Sequence, residues 1–146
     1  PFYGCYILRP SDALGYDENP GRDNYLERII AACSAEPVNF PGRLSCCGFP
    51  IMLINEKNSM AMVGNHTHSA KAAGADAMVT PCPLCHLNLD GQQPKAQALR
   101  GEKIGLPILH LPQLIGLSMG ISPRELGLNR HIVSTEGLQG KASVRA

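Results

Sequence analysis

The sequence lacks a long apolar run, an excess of one charge and a recognisable signal peptide. Its longest mostly apolar stretch, 105–119, is interrupted by Pro107, His110, Pro112 and Gln113, so we predict no transmembrane segment. The formal net charge is only +1, and basic and acidic residues are interspersed. Such a chain has no basic face that would attract a polyanion, and we predict no nucleic-acid partner.

What is present is typical of one folded globular domain. The 146 residues are 44% hydrophobic and 17% charged, which is enough to bury a core. The chain begins at Pro1 without an initiator Met, which suggests a fragment of a longer polypeptide. Six cysteines in a secreted chain would form disulfides, but the adjacent Cys46 and Cys47 are poorly placed to pair with each other. We therefore predict a cytoplasmic, reducing location and a bound metal.

Apolar periodicity and turn residues predict strands that alternate with helices. This order predicts an α/β fold with a Rossmann-like parallel sheet flanked by helices, and a ligand site at the carboxyl ends of its strands. A polar tail is predicted over 134–146. The predicted strands are 2–8, 37–40, 75–80 and 107–111, and the predicted helices are 24–33, 51–73, 87–100 with a break near Pro94, and 112–119.

Five cysteines form the most distinctive pattern in the chain. Forty residues separate Cys5 from the pair Cys46 and Cys47, and 34 residues separate that pair from Cys82 and Cys85. The cysteines fall at or just past predicted strand ends in three separate units, which favours one shared site. Their density, between Gly and Pro residues, indicates a metal or iron–sulfur centre held by several loops.

The residues around these cysteines suit a thiolate site. Cys82 and Cys85 precede a predicted helix, whose unpaired N–H groups and dipole stabilise negative charge on sulfur. Pro81 and Pro83 stiffen the turn. Gly48 permits a positive φ or a close approach of the backbone. Adjacent side chains leave opposite faces of a strand, so a pair that serves one centre must lie in an irregular loop or reach two different irons.

Spacing alone leaves the metal unspecified. A structural zinc site needs four ligands, one fewer than this set provides. The commonest iron–sulfur sites also use four cysteines, and their usual spacings are absent. A redox-active dithiol formed by Cys82 and Cys85 would explain the CxxC but not the other three cysteines. A further alternative is that the cysteines are buried free thiols that bind no metal.

Five short motifs accompany the cysteines, namely YGC, LRP, NFPGRLSCCG, TPCPLCHLNLDGQQ and LGLNRH. With the cysteine spacing, they resemble the CCG (cysteine-rich) domain of the family formed by the B subunit of heterodisulfide reductase. The resemblance covers residues 3–133 and leaves 134–146 as the tail. That family protein carries two such motifs and this chain one, which is similar to its C-terminal half.

The resemblance implies a noncubane 4Fe-4S cluster and an oxidoreductase that acts on sulfur groups within a complex. Electrons would be exchanged with flavin/iron–sulfur and ferredoxin-like subunits, and a disulfide or thiol would be the substrate. An alternative is an electron-relay or zinc-stabilised structural subunit with no substrate of its own. The ligands implied by position, to the cluster or to zinc, are Cys5, Cys46, Cys47, Cys82 and Cys85.

Some residues outside the five also have candidate roles. His86 is either a residue bonded to backbone at a helix start or a proton donor to a leaving thiolate. His66 and His68, two apart on a helix, are not expected to form a two-histidine metal site. Together with Asn65, they are candidates to line the cavity that holds the cluster. Asn88 and Asp90 are candidates to hydrogen-bond sulfur or cap the helix. Two further residues, Cys33 and His110, are predicted to be core and structural, respectively.

Overall fold

Two short, buried strands pair in parallel in the computed structural model, which describes residues 1–15, 21 and 24–139. Strand β1 (Met78–Thr80) pairs with β2 (Ile108–His110). Helices α3 (Pro83–Gly91) and α4 (Gln93–Arg100) connect them, so the fold is α/β with a βαβ unit. The other helices are α1 (Tyr25–Ala32), α2 (Glu56–Ala72), α5 (Leu111–Ser118) and α6 (Glu136–Gln139), with 3-10 turns at Phe49–Ile51 and Leu128–Arg130.

Local sequence explains where the helices that flank the site begin and end. Asn55 caps α2, because its side-chain oxygen accepts a hydrogen bond from the backbone N–H of Asn58 at 3.0 Å. Gly74 follows the end of α2 with a φ of +91°, the left-handed conformation that commonly ends a helix and that glycine adopts without strain. Pro83 lies in the first turn of α3, where a missing N–H costs nothing.

Three clusters of buried apolar side chains hold the elements together. The largest joins α2, α3, α4 and both strands, and it includes Cys47, Cys82 and Cys85. A second cluster packs α1 and α5 against the sheet. The third is formed by Tyr3, Leu8 and other residues near the N-terminus. Three of the predicted ligands are therefore part of the core, where packing restricts their movement.

Two predicted strands are wrong. Residues 1–4 run beside β1 with a single backbone bond, from Phe2 N–H to the Val79 oxygen (2.7 Å), and residues 5–15 form bends and turns. Gly4, with a φ of +74°, turns the chain away before a ladder can form. Residues 37–40 form no strand either, because Pro37 and Pro41 lack the N–H groups that a ladder requires.

The predicted helices are correct in place but not in extent. The helix predicted over 51–73 begins only at Glu56, after a turn in which Leu53 and Ile54 are exposed. The break predicted near Pro94 is confirmed, since α3 ends at Gly91 and α4 begins at Gln93. The larger Rossmann-like sheet stays a prediction, because the described residues form a sheet of two strands.

The predicted tail is only partly within the described residues. Leu138 of α6 packs against the second cluster, and the buried Thr135 donates a hydrogen bond to the Leu128 oxygen at 3.2 Å. Residues 140–146 lie outside the described residues. Within the described ranges, no helix has the length and apolar character needed to cross a membrane.

Candidate functional site

The N-terminal segment carries Cys5 to the CxxC. Phe2 and Tyr3 are fully buried, and the Tyr3 hydroxyl contacts the Glu27 carboxylate and accepts from the Leu26 N–H at 3.0 Å. A Cβ on the next residue, Gly4, would lie 2.6 Å from the sulfur of Cys85. Only a glycine allows this approach, so the segment lies directly against the thiols of the CxxC.

The CCG tripeptide forms an irregular loop between the N-terminal segment and α2. Gly48 has a φ of +92° and precedes the 3-10 turn at Phe49–Ile51. A Cβ at Gly48 would lie 3.1 Å from the backbone of Ser59. The backbone N–H of Gly48 donates to the sulfur of Cys46 at 3.4 Å. The loop has the irregular form that two adjacent ligands require.

We expect Gly48→Ala to destabilise the fold by about 3 kcal/mol, because it combines a strained φ with a clash against α2. Gly74→Ala is the matched control. Its φ of +91° is nearly the same, but nothing lies within 4 Å of the point that a Cβ would occupy there. The control should lose only about 1 kcal/mol. Denaturant unfolding measures both values, and equal losses would contradict the clash.

The CxxC lies at the junction of β1 and α3. Cys82 is the N-cap residue of α3 and Cys85 lies in its first turn, and both are buried. The Cys82 N–H donates to the Thr80 hydroxyl at 3.3 Å, which ties the turn to the strand. This position places both sulfurs near the positive end of the helix dipole, which favours thiolates.

The thiols interact in pairs that link all five cysteines. Burial, with a hydrogen bond to Cys46, raises the pKa of the Cys5 thiol to about 11. The hydrogen bond from Cys85 lowers the pKa of Cys47 to about 7. The same bond, together with burial and the charges of Cys47 and Cys82, raises the pKa of Cys85.

The structure thus brings the five cysteines into one continuous group from three segments of the chain. In the described ranges, no three His, Cys, Asp or Glu side chains are arranged to hold a single metal ion. The donor set fits an iron–sulfur cluster, because thiolates are its usual ligands and Gly4 allows the backbone to approach the Cys85 sulfur closely.

Cys33 lies apart from the group, as predicted, but it is not a core residue. It is half-buried at the C-cap of α1, where Ser34 turns the chain with a φ of +59°. Cys33 lines a cavity of about 440 Å³, which Ile30 and Leu117 also line and which none of the other five cysteines lines.

Asn88 and His66 both contact the CCG loop. Asn88 donates to the backbone oxygen of Cys47 at 2.9 Å and also hydrogen-bonds the Cys47 thiol, as one of its two predicted roles required. The Nε2 atom of His66 lies 2.9 Å from the Cys46 oxygen. Ser59, which the sequence pattern did not reveal, donates to the Gly48 oxygen at 2.9 Å. A lone serine on a helix has no pattern that marks it.

His86 belongs to a group of three histidines. Its ring centroid lies 4.9 Å from that of His131 and 5.9 Å from that of His110. Burial, followed by the charge of His131, lowers the pKa of His86, so the neutral ring is favoured. His110 contacts the Pro81 oxygen at 3.1 Å. The sequence pattern did not reveal His131, because it lies 45 positions after His86.

Asp90 holds a distant segment rather than a sulfur atom. Its buried carboxylate accepts hydrogen bonds from the N–H groups of Ile132 (2.8 Å) and Val133 (3.1 Å). These bonds fix the segment after the Leu128–Arg130 turn against α3. His131 is carried to His86 by this contact, which no local sequence pattern indicates.

Comparison with known proteins yields one family model and several relatives. The model described as "Cysteine-rich domain" (CCG) matches residues 1–90. The chain is 40% identical over 137 residues to the 8-methylmenaquinol:fumarate reductase membrane anchor subunit of Wolinella succinogenes, covering 94% of this chain and 48% of the relative. It is 31% identical over 135 residues to the B subunit of the ferredoxin/F(420)H(2)-dependent CoB-CoM heterodisulfide reductase of Methanosarcina acetivorans, covering 90% and 44%.

A third relative is an Archaeoglobus profundus protein described as similar to the B subunit of heterodisulfide reductase, with 29% identity over 126 residues, 84% of this chain and 42% of the relative. The chain therefore spans about half the length of the curated relatives it matches. The resemblance predicted from the motifs is confirmed.

Proposed function

Since this chain belongs to the cysteine-rich CCG domain family that includes the B subunit of heterodisulfide reductase, we propose that its cysteines hold a noncubane 4Fe-4S cluster in a redox complex. The observation that supports this most is the continuous group of five thiols, drawn from three segments. Zinc would need only four of them. Five ligands suit the larger centre that the family resemblance implies.

In this proposal, the domain reduces or oxidises a disulfide or thiol with electrons exchanged with partner subunits, including flavin/iron–sulfur and ferredoxin-like ones. The cluster, when bound, stores electrons and offers iron to substrate sulfur. The chain's own residues hold it through thiolates, and Asn88 supplies a hydrogen bond to Cys47. We propose His86 as a proton donor to a leaving thiolate, with its protonated ring as the acid. Negative charge developing on the leaving sulfur would favour that protonated form, against the burial that lowers the pKa of His86.

We further propose that residues 3–133 form the functional domain and that the protein works in the cytoplasm. All six cysteines are free thiols, which is the state that a reducing compartment maintains. The packing of Leu138 and Thr135 ties the first residues of the proposed tail to the domain.

A second candidate is an electron-relay subunit without a disulfide substrate. It is favoured by the 40% identity to a fumarate reductase subunit, which exceeds the identity of 31% to the heterodisulfide reductase subunit. The thiolate site would be the same in both proposals. They differ in whether substrate sulfur reaches the site.

The test begins with metal analysis of the chain purified and reconstituted without oxygen. We expect about four iron and about four acid-labile sulfide per chain, with no zinc. Oxidised protein is then titrated with a disulfide or a thiol while its EPR spectrum is recorded. A changed signal supports chemistry on sulfur, and an unchanged signal leaves the relay. Zinc without sulfide would rule out both.

A further inference from the structure

Three consecutive carbonyl oxygens of the CCG loop each accept a hydrogen bond from a helix side chain. An irregular loop has no ladder of its own, so its carbonyl oxygens need other partners, and the Gly48 oxygen also accepts from the Ile51 N–H at 3.2 Å. Two of the donors, Ser59 and Asn88, are at least 99% buried. The contacts join His66 Nε2 to the Cys46 oxygen, Asn88 Nδ2 to the Cys47 oxygen and Ser59 Oγ to the Gly48 oxygen, each at 2.9 Å.

The His66 ring is held from several sides. A carbonyl oxygen only accepts, so Nε2 must carry the proton in this contact. The Phe2 ring lies 5.3 Å from the His66 ring, and a Cβ on Gly42 would lie 2.6 Å from its Nδ1 atom. Burial lowers the pKa of His66, which favours the neutral ring. The donor therefore has one tautomer and one position.

Fixing three carbonyls fixes the peptide planes that carry the two thiols. The C=O and N–H of a planar peptide point in opposite directions, so carbonyls that face α2 and α3 turn the loop's N–H groups elsewhere. The Gly48 N–H accordingly reaches the Cys46 sulfur. The Cys46 thiol then meets Cys5, and the Cys47 thiol meets Cys85.

We propose that Ser59, His66 and Asn88 are positioning residues, which hold the CCG loop in the conformation that presents both adjacent thiols to the rest of the site. The part of this inference that concerns the positioning of cluster ligands rests on the proposed function. The part that concerns the conformation of the CCG loop also applies to the protein without a cluster. The loop conformation and the proposed function can therefore be tested separately.

The first experiment measures alkylation of the full chain without metal, under reducing conditions at one pH. N-ethylmaleimide modifies the thiols, and peptide mass spectrometry gives the rate at the buried Cys47 relative to that at Cys33, which lies outside the group. Losing one carbonyl bond should cost about 1 kcal/mol and raise this ratio about fivefold in His66→Leu and in Ser59→Ala. His66→Gln keeps a donor near Nε2 and should restore the ratio.

His68→Leu is the matched control on the same helix. His68 is partly exposed and pairs with Glu102 at 3.4 Å instead of contacting the loop. Its ratio should equal that of the wild type. If His66→Leu and Ser59→Ala behave like His68→Leu, the inference is wrong. Ser59→Ala removes only a hydroxyl group, so it disturbs the packing less than His66→Leu does. Circular dichroism is used to check that each variant is folded before the alkylation ratios are compared.

The second experiment uses the reconstituted protein and follows iron release to a chelator. Outer-shell partners typically change metal affinity 10- to 100-fold, so we expect about tenfold faster release in His66→Leu and the wild-type rate in His66→Gln. If the wild type binds no iron or sulfide, the proposed function fails, and the alkylation ratio still decides the positioning role. Normal loading with unchanged release and alkylation in the variants would overturn the inference alone.

Discussion

Replacement of Cys85 by serine is expected to leave less than about one-tenth of the wild-type iron after anaerobic reconstitution, because changes to the partners of metal ligands alone weaken metal sites about 10- to 100-fold. Cys85 interacts with two other thiols, those of Cys47 and Cys82, and it lies against Gly4. A serine hydroxyl has nearly the same shape, but it does not form the thiolate that iron requires.

The matched control for this substitution is Cys33→Ser. Cys33 lies at the end of α1 against a separate cavity, so its loss should leave iron and sulfide at the wild-type level. Circular dichroism of each variant without metal should match that of the wild type, which separates ligand loss from unfolding. Wild-type iron content in Cys85→Ser, or an equal loss in Cys33→Ser, would contradict the five-cysteine assignment.

Cys47→Ser extends the same test to a dithiol mechanism. A redox pair formed by Cys82 and Cys85 alone would leave disulfide reduction almost unchanged when Cys47 is replaced. A cluster would lose iron and activity together, as in Cys85→Ser. Measurement of iron content and disulfide-reduction activity in Cys47→Ser therefore distinguishes a dithiol mechanism from a cluster mechanism.

Gln93→Leu is expected to lower the free energy of unfolding by about 3 kcal/mol, since it leaves two buried backbone groups unpaired at about 1–3 kcal/mol each. Gln93 is fully buried at the start of α4. Its Oε1 accepts from the Leu106 N–H at 2.7 Å, and its Nε2 donates to the Leu106 oxygen at 2.9 Å. The pair joins α4 to the segment that enters β2.

Thermal unfolding would show this loss as a melting point about 10 °C lower. Gln92→Leu is the matched control, because Gln92 is only half-buried and its side chain makes one weak contact, with the Met52 sulfur at 3.6 Å. The control should change stability by less than about 1 kcal/mol. Equal losses in the two variants would show that the Leu106 contacts are not the cause.

The site was more predictable from the sequence than the sheet was. Cysteines are rare and their spacing is conspicuous, so the sequence marks all five, and the structure brings their thiols together. The strand predicted over 2–8 failed for a tertiary reason. Its composition suits a strand, but Gly4 turns the backbone so that it reaches the Cys85 sulfur instead of continuing along β1.

The backbone partners of the buried polar residues could not be predicted, because they are distant in sequence. Asn88 meets the Cys47 oxygen across 41 residues, and Asp90 meets Ile132 across 42. Nothing local distinguishes Ser59 or Gln93 from solvent-exposed neighbours. Each is recognised only when burial and an opposing backbone group are both known.

The sequence by itself determined the kind of chemistry and the segments that carry it. The features that indicate this chemistry are local: the number of thiols, the CxxC before a helix and the glycine of the CCG motif. Local sterics and secondary-structure propensities are enough to predict their effects. The tertiary structure alone decided how the thiols of the adjacent Cys46 and Cys47 join one group with the other three. Their directions depend on carbonyl bonds to α2 and α3, which exist only once those helices are packed around the loop.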